Sequence, residues 1–274
     1  MAHAHDHEDS HDDHGGLHRD LRATGAAIDR RQLFRVAAGL SLGASAVPLL
    51  GCNGDSPTDP TDIGSGSCQT RVPEETAGPY PGDGSNGPDV LRQTGVVRSD
   101  IRSSFAGLSG VADGVPLVIE LTLVSASTCA ALAGQAVYVW HCDRLGRYSL
   151  YSTGVTNQNY LRGVQEADAG GRVSFTSIFP ACYQGRWPHI HFEVYPSLAA
   201  AVNVANKVAT SQIALPKSAC DEVYATAGYE QSITNLSQVS LATDNVFSDG
   251  VNLELATMTG SAAGGFTASL TVAV

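Results

Sequence analysis

Two histidines one residue apart, His189 and His191, stand in the stretch Gly185-Arg186-Trp187-Pro188-His189-Ile190-His191-Phe192. The run Ile190–Tyr195 is β-branched and aromatic, which predicts a strand. On a strand, residues i and i+2 face one side about 6.6 Å apart. Both imidazoles can therefore converge on one metal ion. The competing reading is a pair of hydrogen-bonded structural histidines, and the neighbours must decide between them. Six of the nine histidines lie in the first 18 residues, so His141 alone joins this pair in the rest of the chain. His141 follows Trp140 at a predicted strand end and reads as structural.

Two phenols stand close to the pair in sequence or at a comparable turn. The strand Val137-Tyr138-Val139-Trp140-His141-Cys142 runs into Asp143-Arg144-Leu145-Gly146-Arg147 and delivers Tyr148. The loop Phe179-Pro180-Ala181-Cys182 delivers Tyr183 just before the histidines. Phenolate is a hard, strongly donating anion that favours a trivalent ion, whereas imidazole is borderline and suits iron. Two tyrosinates and one hydroxide would neutralise Fe(III). A trivalent ion would also hold the phenol pKa values far below about 10.

With Glu75-Thr76-Ala77-Gly78-Pro79-Tyr80-Pro81, these segments resemble the intradiol ring-cleavage dioxygenases, the protocatechuate 3,4-dioxygenase and catechol 1,2-dioxygenase family, in an exported single-chain branch. The resemblance runs over residues 70–274. It implies Fe(III) held by Tyr148, Tyr183, His189 and His191, with a small aromatic diol and O₂ as reactants. It assigns Arg186 and Gln212 to stabilising charge on the substrate ring, and Tyr183 to leaving the metal with a proton. Tyr80 and Pro81 would line the substrate pocket. Only five residues separate Tyr183 from His189, a shorter loop than in the soluble enzymes, and Ile213-Ala214-Leu215 replace the usual aromatics. The identity of the ring substituent therefore does not carry over. One rival is a non-catalytic, metal-binding β-sandwich lipoprotein of the same fold. A cupin-type metalloenzyme, which also uses His-x-His but needs a glutamate several residues after the pair, fails because Glu193 follows His191 by only two residues.

The elements that must position these groups read as strands. Short alternating or β-branched runs cover Pro116–Val124, Ala136–His141, Arg172–Ile178, Ile190–Tyr195, Ala209–Leu215, Val251–Ala256 and Phe266–Val274. Gly, Pro, Asn and Asp separate them, which predicts an all-β sandwich with long loops. Residues 198–208 and 218–227 read as short helices.

The 274 residues suffice for one good-sized domain, and the net charge of −11 without a basic stripe excludes a nucleic-acid partner. Residues 1–28 form a His/Asp-rich leader that reads as disordered. Residues 29–52 combine Arg30-Arg31, the apolar run Val36–Leu50 and Leu49-Leu50-Gly51-Cys52, which reads as a twin-arginine signal ending in a lipobox. Export to a periplasm or cell surface, with membrane attachment through a lipidated Cys52, follows. Residues 53–69 read as a flexible linker. The composition leaves a homo-oligomer open. An oxidising compartment permits disulfides. Cys142 and Cys182, each beside a tyrosine-bearing loop, are the pair expected to bond.

Overall fold

The structure is a computed structural model that describes residues 68–274. The leader at 1–28, the signal at 29–52 with Cys52, and most of the linker at 53–69 lie outside the described residues. Two four-stranded sheets face each other. One has the order β4-β1-β8-β7, built from β1 (Pro116–Val124), β4 (Arg172–Ile178), β7 (Thr257–Ser261) and β8 (Gly265–Ala273). The other has the order β3-β2-β5-β6, from β2 (Ala136–Trp140), β3 (Arg162–Glu166), β5 (His189–Tyr195) and β6 (Ala209–Ala214). All pairings are antiparallel except β1 with β8. This is the expected all-β sandwich.

The strand period sets which residues meet in the middle. On β1, Leu117, Ile119, Leu121 and Leu123 face inward, against Ile190, Phe192 and Val194 of β5 and Val137 and Val139 of β2. Their alternation with Val118, Glu120 and Thr122 leaves the outer face of that sheet to solvent. The second sheet is different, because β2 and β5 are buried along their whole length. Its outer face carries Tyr138, Trp140 and Tyr195, covered by Val90, Leu91, Val96 and the loop residues Tyr148 and Ala181. His189, His191 and Glu193 alternate with Ile190, Phe192 and Val194 and so belong to that covered outer face.

Several expectations are corrected. Val251–Ala256 is a turn, since the amides of Glu254 and Leu255 both bond back to the carbonyl of Val251. It meets the sheet at one isolated bridge, Leu255 against Ala214, where the Ala214 amide donates to the Glu254 carbonyl and the Ala256 amide to the Ala214 carbonyl. Residues 198–208 form turns with a single 3₁₀ turn at Val204–Asn206, which the Asn203 side chain starts by accepting from the Ala205 amide. Helix α1 spans Lys217–Tyr224, close to expectation, and α2 (Glu230–Leu236) follows it unforeseen. Strands β3 and β7 lie outside the expected runs. Each is polar and glycine-bearing, and is held by its pairing rather than by its composition.

The cysteine pairing is corrected as well. Cys68 bonds to Cys129, while Cys142, Cys182 and Cys220 are buried free thiols. Cys142 faces the carbonyl of Ala181 and Cys182 faces that of Arg186, so each thiol is turned to backbone.

Candidate metal centre

Strand register builds the site's floor. Trp140 pairs with Arg162 of β3 on one side and His191 of β5 on the other, and His191 pairs with Gln212 of β6. Arg162, Trp140, His191 and Gln212 thus form one cross-strand row. The imidazole of His191 stacks on the Trp140 indole with centroids 4.9 Å apart and planes within 6°. Loops then bring the phenols over the sheet. Asp143 organises the first loop by accepting from the amides of Leu145 and Arg147 and from the Arg147 guanidinium. Ser152 accepts from the Tyr148 amide and fixes the chain where that tyrosine leaves the turn. The second loop is held from α2, where Ser232 accepts from the Cys182 amide and Asn235 donates to the Cys182 carbonyl.

The four polar atoms converge. His189 Nε2 lies 3.1 Å from His191 Nε2, 3.4 Å from the Tyr148 hydroxyl and 3.2 Å from the Tyr183 hydroxyl. The Tyr148 hydroxyl is 3.3 Å from His191 Nε2. Donors bound at about 2.0–2.1 Å around one ion sit roughly 3.0–3.4 Å from one another, so these atoms have the spacing of a coordination shell. His189 Nδ1 lies 2.5 Å from the Trp187 carbonyl, which can only accept. Nδ1 therefore carries the proton and Nε2 presents its lone pair to the centre. His191 Nδ1 is buried without a partner, so the Trp140 stack orients that ring instead.

Electrostatics point the same way. Burial holds both imidazoles well below their ordinary pKa, helped by Arg186 at His189 and by His189 at His191, so both are neutral donors. Burial and the neighbouring Tyr183 push Tyr148 well above the ordinary phenol range. Without a cation this cluster is costly to bury; a cation would compensate it. Among the described residues no group of three His, Cys, Asp or Glu side chains could hold a metal. The phenols are what complete this donor set, and they fit a hard, highly charged ion.

Beside the donors, Arg186 donates through Nη2 to Gln212 Oε1 at 2.7 Å and through Nε to Asp244 Oδ2 at 3.0 Å. Gln212 in turn donates to the Thr76 carbonyl at 2.9 Å. Tyr80 packs over Tyr148, ring centroids 4.9 Å apart. Gly78 at φ +68° brings its backbone against His191, where a Cβ would sit 3.4 Å from Cε1. Pro81 is buried and turns its carbonyl to Tyr138 and Arg162. The structure therefore brings all eight sequence-predicted residues into one region. Three others went unread: Asp244, Arg162 and Trp140. A tryptophan next to His141 gave the one visible hint, but which residue it would stack on depended on register.

Residues 86–202 match the family model Dioxygenase_C, described as dioxygenase, a segment that includes Tyr148, Tyr183, Arg186, His189 and His191. No curated protein sequence matches the chain. The intradiol ring-cleavage dioxygenase from Tetranychus urticae superposes with a TM-score of 0.60 at 23% identity, over 74% of this chain and 94% of that one. A second dioxygenase crystal structure gives 0.59 at 24% identity, over 75% and 94%. The resemblance found in the sequence therefore stands: residues 86–202 match the dioxygenase model, and the chain has the β-sandwich fold of the intradiol ring-cleavage dioxygenases.

Proposed function

We propose that this chain is a non-haem Fe(III) dioxygenase that opens a catechol-type ring between its two hydroxylated carbons, using O₂, to give a muconic acid. The observation that carries the reading is the convergence of two phenols and two imidazoles, their polar atoms 3.1–3.4 Å apart. Tyr148, Tyr183, His189 and His191 would hold the ion. When bound, Fe(III) would take the diol through its oxygens and draw electron density from the ring, so that O₂ reacts at a ring carbon.

The protein's own groups then divide the work. Tyr148 is fully buried, whereas Tyr183 is only partly buried, so Tyr183 is the phenol able to swing aside and accept a proton from the incoming diol. Tyr80 and the Gly78 backbone wall the space over the donors, orienting a flat ring and limiting water. Arg186, pinned by Asp244 and Gln212, is a preorganised cation for charge developing on that ring.

The test is the reaction product. Iron-loaded protein should be red-brown from tyrosinate-to-iron charge transfer, and should convert catechol to colourless cis,cis-muconate containing both atoms of ¹⁸O₂. A yellow semialdehyde would overturn the mechanism, and a colourless iron-loaded protein would overturn the donor set. A coloured protein inert towards catechols would favour a non-catalytic metal-binding lipoprotein.

The proposal extends to location: residues 29–52 direct twin-arginine export and lipid anchoring at Cys52. Mass spectrometry of the membrane fraction should find an acylated Cys52 peptide, and an unmodified Cys52 would remove the anchor.

A further inference from the structure

Arg162 is a buried cation that the donor set does not use. It is 1% exposed, sits on β3, and occupies the row that leads through Trp140 to His191. Its guanidinium makes five hydrogen bonds, every one to a neutral oxygen. Nη2 donates to the Tyr80 carbonyl at 2.9 Å and the Ser149 carbonyl at 3.0 Å. Nη1 donates to the Pro81 carbonyl at 2.6 Å and the Tyr138 hydroxyl at 3.1 Å, and Nε to the Ser149 hydroxyl at 3.1 Å. The acceptors come from two segments far apart in sequence and from β2. Residues 80–82 wall the site, and Ser149 directly follows Tyr148. Gly82, at φ +66°, lets the chain pass so close that a Cβ would lie 2.7 Å from Nη1. Tyr138 completes a triangle by donating to the same Pro81 carbonyl at 2.7 Å.

A planar fork with five donors can hold two backbones at a fixed separation, which a single ammonium cannot. The ring of Tyr80 rests on Tyr148 with no direct hydrogen bond between the two side chains, so their spacing depends on what holds their backbones.

We propose that Arg162 is a positioning residue, a clamp that locks the Tyr80–Gly82 wall to the Tyr148–Ser149 loop and so sets the width of the slot in which a flat aromatic diol lies against the metal. The role is distinct from that of Arg186: Arg162 touches the walls and not the substrate. It rests on the ring-cleavage reading for its substrate, but the clamp itself is a property of the metal-free chain.

Two measurements test it. The first is hydrogen–deuterium exchange on metal-free protein, wild type against Arg162→Lys. Exchange should rise at least fivefold in residues 78–82 and 148–152 together, with the inner-face strands β1 and β8 unchanged. A rise in one segment alone, or a uniform rise, would overturn the clamp. The second is steady-state kinetics on catechol with iron-loaded protein. Arg162→Lys should raise KM tenfold or more while iron content and the visible band persist, with kcat falling less than threefold. Tyr138→Phe removes one corner of the triangle, should raise KM two- to fivefold, and should add nothing on top of Arg162→Lys, because both act on Pro81. If Arg162→Lys does not fold, Tyr138→Phe and Ser149→Ala take its place in both measurements. An unchanged KM in the folded variants would overturn the slot. Wild-type protein without colour or turnover would defeat the ring-cleavage reading and leave the exchange experiment to decide the clamp.

Discussion

Trp140 and His191 lie face to face, 4.9 Å between centroids, and each buries a ring nitrogen that has no hydrogen-bond partner. In most metal sites the second nitrogen of a ligand histidine is held by a carboxylate or carbonyl. His191 instead rests on a flat indole, while a carbonyl holds His189. Trp140→Leu should therefore weaken metal binding roughly tenfold or more, the usual scale for losing an outer orienting group. Trp140→Phe should weaken it less. Competitive chelator titration measures both, and equal affinities would show that stacking does not orient the ring.

Removal of the donors gives a graded outcome. His189→Ala and His191→Ala should lose iron under dialysis, because the remaining donors cannot close the shell. Tyr148→Phe should shift or bleach the visible band. Retention of full iron and activity in either histidine variant would return the pair to a structural role.

Arg186 and Asp244 form a fully enclosed ion pair, and Asp244 also accepts from the amides of Trp187, Val246 and Phe247. Breaking a buried pair from one side costs about 3–5 kcal/mol. Asp244→Asn should therefore lower the melting temperature and the rate together. Arg186→Ala should keep iron and colour yet lose most of kcat, on the order of a hundredfold. Full turnover without Arg186 would remove it from the chemistry.

His141 is buried between the Cys142 carbonyl and the Ser177 hydroxyl, and burial pushes its pKa from 6.5 down to about 4. Between those values the unfolded chain binds a proton that the fold refuses. Stability should thus be complete above pH 6.5 and decline as pH falls towards 4, by about 3 kcal/mol from this group. Urea unfolding at several pH values should give a shallower decline for His141→Gln, and parallel curves would show that His141 does not contribute.

The Cys68–Cys129 bond closes a loop across a separation of 61 residues. Loop entropy gives such a cross-link about 4 kcal/mol of stability. Cys68→Ser with Cys129→Ser should unfold at correspondingly lower urea, while non-reducing peptide mapping should find Cys142, Cys182 and Cys220 as thiols. A Cys142–Cys182 peptide would reverse that assignment.

What the sequence determined by itself is local. Period two puts His189 and His191 on one face of a strand, and the same period puts Leu117, Ile119, Leu121 and Leu123 on one face of β1, so sandwich and histidine pair were both legible. Tyr148 and Tyr183 were read through resemblance, because nothing in their spacing says that two loops meet. The tertiary structure alone decided the rest. Arg162, Trp140, His191 and Gln212 come from four strands and share a row only through register, which is a property of pairing. Asp244 reaches Arg186 from 58 residues away, so no window of sequence contains both. The cysteines show the same division: Cys142 and Cys182 flank the tyrosine loops, yet each thiol faces a carbonyl. The bond formed instead at Cys68 and Cys129, because only the closed fold brings their Cα atoms to 5.5 Å.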